Sequence, residues 1–144
     1  MTPAEMAAIH AACFTTPRPW TENEFREVLA AAGSFGAVRP GGFLIGRAIA
    51  GEAELLTLAV APPFRRRGTA QALLSDFDVE AGRRGAARAF LEVASDNLPA
   101  IALYTGRGWV PCGRRRGYYR GRGGGSADAL VLARPLPPAP PHGT

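Results

Sequence analysis

The segment VAPPFRRRGTA sets Arg65, Arg66 and Arg67 ahead of Gly68, Thr69, Ala70 and Gln71, between an apolar run and the start of a helical pattern. A helix N-terminus leaves its first backbone N–H groups unpaired and carries about half a positive charge, so it attracts a phosphate group. Gly68 lets the backbone approach such a ligand with no Cβ in the way, Ala70 is nearly as small, and the three guanidiniums add charge at the mouth. An ordinary glycine turn carrying a solvated arginine run would use the same residues. Two other phosphate devices are missing: there is no GxxxxGK[ST], and no GxGxxG opens a helix after a strand. A nucleoside triphosphate or dinucleotide held in those ways is therefore not expected.

Other chemistry is excluded by composition. All 17 basic residues are arginine, so neither a phosphate-loop lysine nor a Schiff base is available. Cys13 and Cys112 are too few and too far apart for a disulfide framework, and no CxxC or Cys/His cluster offers a metal site. Neither cysteine has a base beside it in sequence, which disfavours a route through an acyl-cysteine. With 144 residues, 47% of them hydrophobic, the chain is one domain with a real core. From Arg65 onward 13 arginines face 6 acidic residues, whereas the first 64 residues hold 4 arginines and 6 acidic residues, so the C-terminal half should face something anionic. The start lacks a basic segment followed by a long apolar run, and no stretch approaches the roughly 18 apolar residues of a membrane span. The expectation is a soluble, cytoplasmic, monomeric protein with no membrane partner.

The elements that must position the turn follow from periodicity. Met6, Ile9, Ala12 and Cys13 predict a first helix over 2–14, and Thr21 caps a second from about Glu22 to Ala32. Two strands follow, Phe35–Val38 and Gly42–Ala50, with Pro40 and Gly41 as the turn between them. Ala53–Val60 reads as a central strand buried on both faces. After the arginine turn, Ala70, Leu73, Leu74, Phe77 and Ala81 form the stripe of an amphipathic helix. A strand over Ala89–Ala94 leads to Asp96 or Asn97, either able to cap a helix from about Leu98 to Arg107. Strands at Trp109–Arg114 and Asp128–Ala133 bracket a segment rich in Arg, Tyr and Gly. The domain is expected to span 1–134, with a Pro-rich, polyproline-like tail over 135–144.

Arg65, Gly68 and Ala70 fit the pattern [RQ]xxGx[GA], and the strand, turn and helix around them resemble the coenzyme A pyrophosphate loop of the GNAT acetyltransferases. Phe90 to Trp109, FLEVASDNLPAIALYTGRGW, is similar to that family's next block, a strand followed by an Asn and an AxxLYxxxGF-type helix. The resemblance covers roughly 53–133. Within the family, LTLAV, LEV, NxxAIALY, RRGYY and the early PW resemble the RimI-type ribosomal-protein alanine N-acetyltransferases. The resemblance implies an α/β (α+β mixed) fold: a central, mostly antiparallel sheet flanked by helices, with a splayed parallel strand pair holding the cofactor, acetyl-CoA. The implied reaction is transfer of an acetyl group to the N-terminal alanine amine of a ribosomal protein, by direct attack in a ternary complex.

That chemistry needs a neutral nitrogen and a proton for the departing thiolate. An α-amine has a reference pKa near 7.7–8.0, so a modest base frees its lone pair. Glu92, in the apolar stretch AFLEV, is the residue that matches the RimI-type proton acceptor; burial there would raise its pKa, whereas a solvent-facing carboxylate of an alternating strand is the plain alternative. Tyr104 matches the family's thiolate partner, and thiol and phenol pKa values near 8.5 and 10 permit proton transfer within a hydrogen bond; a core aromatic beside Ile101 and Leu103 is its alternative. Asn97 is implied to contact the coenzyme, to cap its helix, or both. Leu58, Ala59 and Val60 are implied to offer backbone groups to the pantetheine amides, as a neighbouring strand would. A slot near Glu92, lined by Tyr118, Tyr119 and the Trp20 region, would take the acceptor; an ordinary strand pair is the alternative for the two tyrosines. Two rivals stand beside this reading: a GNAT enzyme acting on a small amine or lysine side chain, and an RNA-binding module built on Arg114–Gly125. Specific nucleic-acid binding is not expected.

Overall fold

The computed structural model describes residues 1–14, 18–120 and 126–137. Two helices open the chain, α1 (Pro3–Cys13) and α2 (Glu22–Ala30). Each begins at a threonine whose hydroxyl accepts the N–H of a glutamate three residues on, while that glutamate reaches back: Thr2 with Glu5 and Thr21 with Glu24. Both boxes satisfy donors that the first turn leaves orphaned.

The sheet follows as β1 (Ser34–Arg39), β2 (Gly42–Ile49) and β3 (Glu52–Val60). A 3₁₀ turn over Pro62–Phe64 leads to α3 (Thr69–Arg83), then β4 (Arg88–Ala94), α4 (Leu98–Thr105), β5 (Val110–Arg120) and β6 (Ser126–Pro135). The strands lie in the order β1-β2-β3-β4-β6-β5. All neighbours are antiparallel except β3 and β4, which are parallel and joined by the α3 crossover. The mixed α/β fold with a mostly antiparallel sheet and one parallel pair is the one expected.

Why that pair opens is written in the register. Thr57 stands opposite Ile45 and Leu55 opposite Gly46, so Leu56 is an extra residue on β3. Such a bulge bends a strand and switches which side chains face which side. Ahead of it, Ala53 and Leu55 pack in the core under α3; beyond it, Leu58 and Val60 take that side, while Leu56 and Ala59 join Met6, Phe25 and Phe43 under α1 and α2. Pairing with β4 covers only Glu52–Leu55 against Arg88–Leu91 and stops where the bulge begins. From there the backbone of β3 has no strand beside it on the β4 side, and a cleft results.

The α3 stripe packs as its spacing predicts, with Leu73, Leu74, Phe77 and Ala81 buried. Three expectations change. The strand over 53–60 is fully buried at alternate positions only, Ala53, Leu55, Thr57 and Ala59. The strand that begins after Trp109 does not stop at Arg114: β5 runs through the arginines and both tyrosines to Arg120. It is the edge of the sheet, where charged side chains protect unpaired backbone. Finally, the exposed tail does not begin at Pro135, which ends β6. Leu136 is buried in the core cluster and its N–H donates to the Ala87 carbonyl at 2.9 Å. Residues 138–144 and 121–125, the rest of the tail and most of the Gly-rich loop, lie outside the described residues.

Candidate active site

Gly68 is the N-cap of α3, at φ +76°. That left-handed conformation costs glycine nothing, and a Cβ added there would meet no protein atom within 4 Å, so the turn opens outward. No side chain caps the helix. The amides of Thr69, Ala70 and Gln71, the first helical residues, therefore face a hollow lined by Val60, Phe64, Arg65, Arg66, Gly68 and those three residues. The arginines play different parts. Arg66 adopts φ +62° and lines the hollow, whereas Arg67 lies over the Phe64 ring at 5.3 Å and does not line it. Arg65 lines it too, but its Nε also donates to the Val60 carbonyl at 3.2 Å and its Nη2 lies 3.5 Å from Cys13 Sγ, holding the loop to the end of β3 and to α1. Gln71 Oε1 accepts from Arg107 at 2.8 Å, which ties the start of α3 to the residues after α4. Phe64 itself occupies the space that a side chain at Gly41 would fill, so the turn is pinned from the β1–β2 hairpin.

Farther along β3 lies a cleft of about 350 Å³, lined among others by Leu58, Glu92, Asn97 and Tyr104. Val60 lines the hollow and Leu58 the cleft, while Ala59 is buried under α1 and α2 and lines neither. Asn97 does cap α4: its Oδ1 accepts the Ala100 N–H at 3.3 Å, and the residue also lines the cleft. Glu92 projects from β4 with 19% of its side chain exposed and Arg115 Nε 3.4 Å from Oε1. Tyr104 is buried edge-on against Trp109, ring centroids 6.1 Å apart, and among the described residues its hydroxyl has no protein partner. Burial pushes its pKa up to about 12, so it stays protonated. Tyr118, Tyr119 and Trp20 line the same cleft, as expected. Burial, then the Glu92 charge, raises the Tyr119 phenol as well.

Three polar residues of the cleft are not foreseen from the sequence. Glu54 lines it with Glu92, and its pKa is raised first by burial and also by the Glu92 charge, against the lowering effect of Arg47 at 3.1 Å. His10 and Thr57 are the other two, joined by a hydrogen bond of 2.9 Å across 47 residues. Their only sequence signal is that each is a polar residue at an inward position of its element.

His10 yields a pH expectation. It is 1% exposed and burial pushes its pKa down to about 4, against a weaker raising effect of Glu24. The unfolded chain takes up that proton near pH 6.5, so the native state is fully favoured above that value and loses stability as pH falls toward 4, by about 3 kcal/mol in all. Urea midpoints at pH 7.5 and pH 5 should differ more in the wild type than in His10→Gln; equal differences would exclude His10 as the cause.

A bulged strand parting from a parallel neighbour, with uncapped amides beside the opening, defines the acyl-CoA N-acyltransferase fold class. The Acetyltransferase (GNAT) family model matches residues 4–109, and the chain belongs to that family. It is 38% identical over 94 residues to the [Ribosomal protein bS18]-alanine N-acetyltransferase of Escherichia coli (strain K12), a match covering 65% of this chain and 63% of that protein. It is 34% identical over 137 residues to the N-alpha-acetyltransferase RimI of Mycobacterium tuberculosis (strain ATCC 25618 / H37Rv), covering 89% of this chain and 83% of that one. The crystal structure of the ribosomal-protein-S18-alanine N-acetyltransferase from Escherichia coli superposes with a TM-score of 0.82 at 29% identity, over 97% of this chain and 91% of the other. The chain thus spans a little under two thirds of the first of these relatives by sequence.

Proposed function

We propose that this protein transfers the acetyl group of acetyl-CoA to the N-terminal alanine amine of a small-subunit ribosomal protein. The observation that carries the reading is the cleft itself: one opening between β3 and β4 has a carboxylate, Glu92, and a protonated phenol, Tyr104, on its walls, with unpaired amides at Thr69–Gln71 farther along the same strand. Those amides, with Arg65 and Arg66, hold the pyrophosphate; Asn97 and the free backbone of Leu58–Val60 hold the pantetheine arm. Ala59, though its side chain points away, still contributes its backbone there, while Arg67 adds only charge near the mouth.

Glu92 takes the proton of the incoming ammonium, freeing the lone pair that attacks the acyl carbon. As the carbon–sulfur bond breaks, Tyr104 gives its proton to the sulfur, and the second proton that the attacking nitrogen sheds in becoming an amide restores the phenol. Tyr118, Tyr119 and Trp20 wall the acceptor's end of the cleft and suit a short peptide terminus. The likeness to relatives named for alanine N-acetylation supports the acceptor class. Among the described residues, Arg114 is paired with Asp128 and Arg115 with Glu92, so two of the arginines that the rival RNA reading would use are already engaged within the protein.

Mass spectrometry of Ala-initiated ribosomal peptides incubated with acetyl-CoA and the protein tests this. A mass gain of one acetyl group at the α-amine is expected. Acetylation of a small amine or a lysine side chain, with none on the peptides, would move the assignment to the rival acceptor.

A further inference from the structure

We propose that the Thr57 hydroxyl donates a hydrogen bond to a carbonyl oxygen of the bound reactants, its direction imposed from beneath by His10 and the Trp20 amide. The inference rests on the acetyl-transfer reading above and adds a residue to it.

The geometry leaves little freedom. The Trp20 backbone N–H donates to His10 Nδ1 at 2.9 Å. A backbone amide is a donor only, so Nδ1 must present a lone pair, and the neutral ring carries its hydrogen on Nε2. Nε2 lies 2.9 Å from Thr57 Oγ1, so His10 donates and the hydroxyl accepts. Having accepted, Thr57 keeps one hydrogen to give, and among the described residues nothing takes it. Thr57 lines the cleft while being only 7% exposed. Among the described residues, that leaves the cleft as the place for its hydrogen, toward an acceptor that arrives with the reactants.

The surroundings keep this arrangement. Phe14, Trp20, Phe25 and Phe43 stand around His10 with ring centroids 4.4 to 6.4 Å away, so the imidazole is held among aromatic rings and only 1% exposed. Protonating the ring would put a second donor against the Trp20 N–H, so the neutral tautomer is the one held at neutral pH. Thr57 also sits directly after the bulge residue Leu56, where β3 has just lost its β4 partner, so the donor is aimed at the reactants' end of the opening.

Two carbonyls share the required chemistry: that of the acetyl thioester and that of the acceptor's first residue. Steady-state kinetics with an Ala-initiated peptide separate them. Thr57→Val keeps the shape and removes the donor; kcat/KM is expected to fall about tenfold, the worth of one hydrogen bond to a neutral oxygen, and Thr57→Ser should recover it. A rise in the peptide KM at constant kcat assigns the acceptor's carbonyl; a fall in kcat at constant KM assigns the thioester. Thr57→Ala is the second variant should valine unfold the protein, and acetyl-CoA titration calorimetry confirms a folded site. A purely structural Thr57 would lower the unfolding midpoint and leave kcat/KM of the folded fraction unchanged, which would overturn the proposal. A wild-type protein inactive on every peptide would instead sink the acetyl-transfer reading, and this inference with it.

Discussion

Glu92→Gln should lower kcat for an Ala-initiated peptide by about 10² to 10⁴-fold, the usual size of a general-base contribution, while binding of acetyl-CoA stays within about twofold of wild type by the same reasoning on differential binding. Glutamine fills the same volume and keeps an oxygen toward Arg115, whose Nε is 3.4 Å away, so packing in β4 is preserved. What is lost is the capacity to accept a proton. The acceptor amine is mostly an ammonium near neutral pH, and a variant without the carboxylate must wait for the fraction already deprotonated. Its rate should therefore climb with pH up to the amine pKa more steeply than the wild-type rate does. Glu54 provides an internal control. It lies in the same cleft, and burial raises its pKa. If it is the real base, Glu54→Gln will show the large loss and Glu92→Gln will not.

What could be read from the residues divides along physical lines. Helix α3 was legible because its stripe and the glycine before it are both local: Leu73, Leu74, Phe77 and Ala81 fall on one face by spacing alone, and Gly68 marks the turn. Thr21 with Glu24 likewise fixes the start of α2 within four residues. The bulge at Leu56 was not legible, since it exists only as a mismatch between the lengths of β2 and β3, and nothing in GEAELLTLAV signals it. Yet it opens the cleft and turns Thr57 toward α1. The extent of β5 was hidden for another reason: RRRGYYR lacks the apolar alternation of a strand because an edge strand needs little burial, and Gly117 interrupts it at φ +57°. Leu136 was lost to its proline-rich neighbours, although one apolar side chain with a backbone bond to Ala87 is enough to hold the chain there. For the candidate site, Glu92, Tyr104 and Asn97 were visible as a block; Glu54, His10 and Thr57 depend on contacts between distant elements, which spacing does not encode.

Tyr104→Phe is expected to slow turnover by about 10² to 10⁴-fold without loosening the fold, and the two halves of that statement come from the same fact. The ring is buried against Trp109, so phenylalanine retains the packing. The hydroxyl has no protein partner among the described residues, so removing it breaks no native hydrogen bond. Among the described residues the buried side-chain polar atoms without a partner are Arg107 Nε and Trp109 Nε1, not this oxygen, which opens on the cleft. Its retention makes sense if the oxygen finds its partner only when the sulfur of the leaving group lies beside it. A phenol held near 12 by burial remains the donor throughout the working range, so no alkaline loss of rate should arise from Tyr104 below about pH 10. The decisive comparison is thermal unfolding beside peptide kinetics on the same preparation. An unchanged melting temperature with a collapsed kcat assigns the proton to Tyr104, whereas a lowered melting temperature with near-normal turnover would make it a core aromatic and leave the thiolate to water.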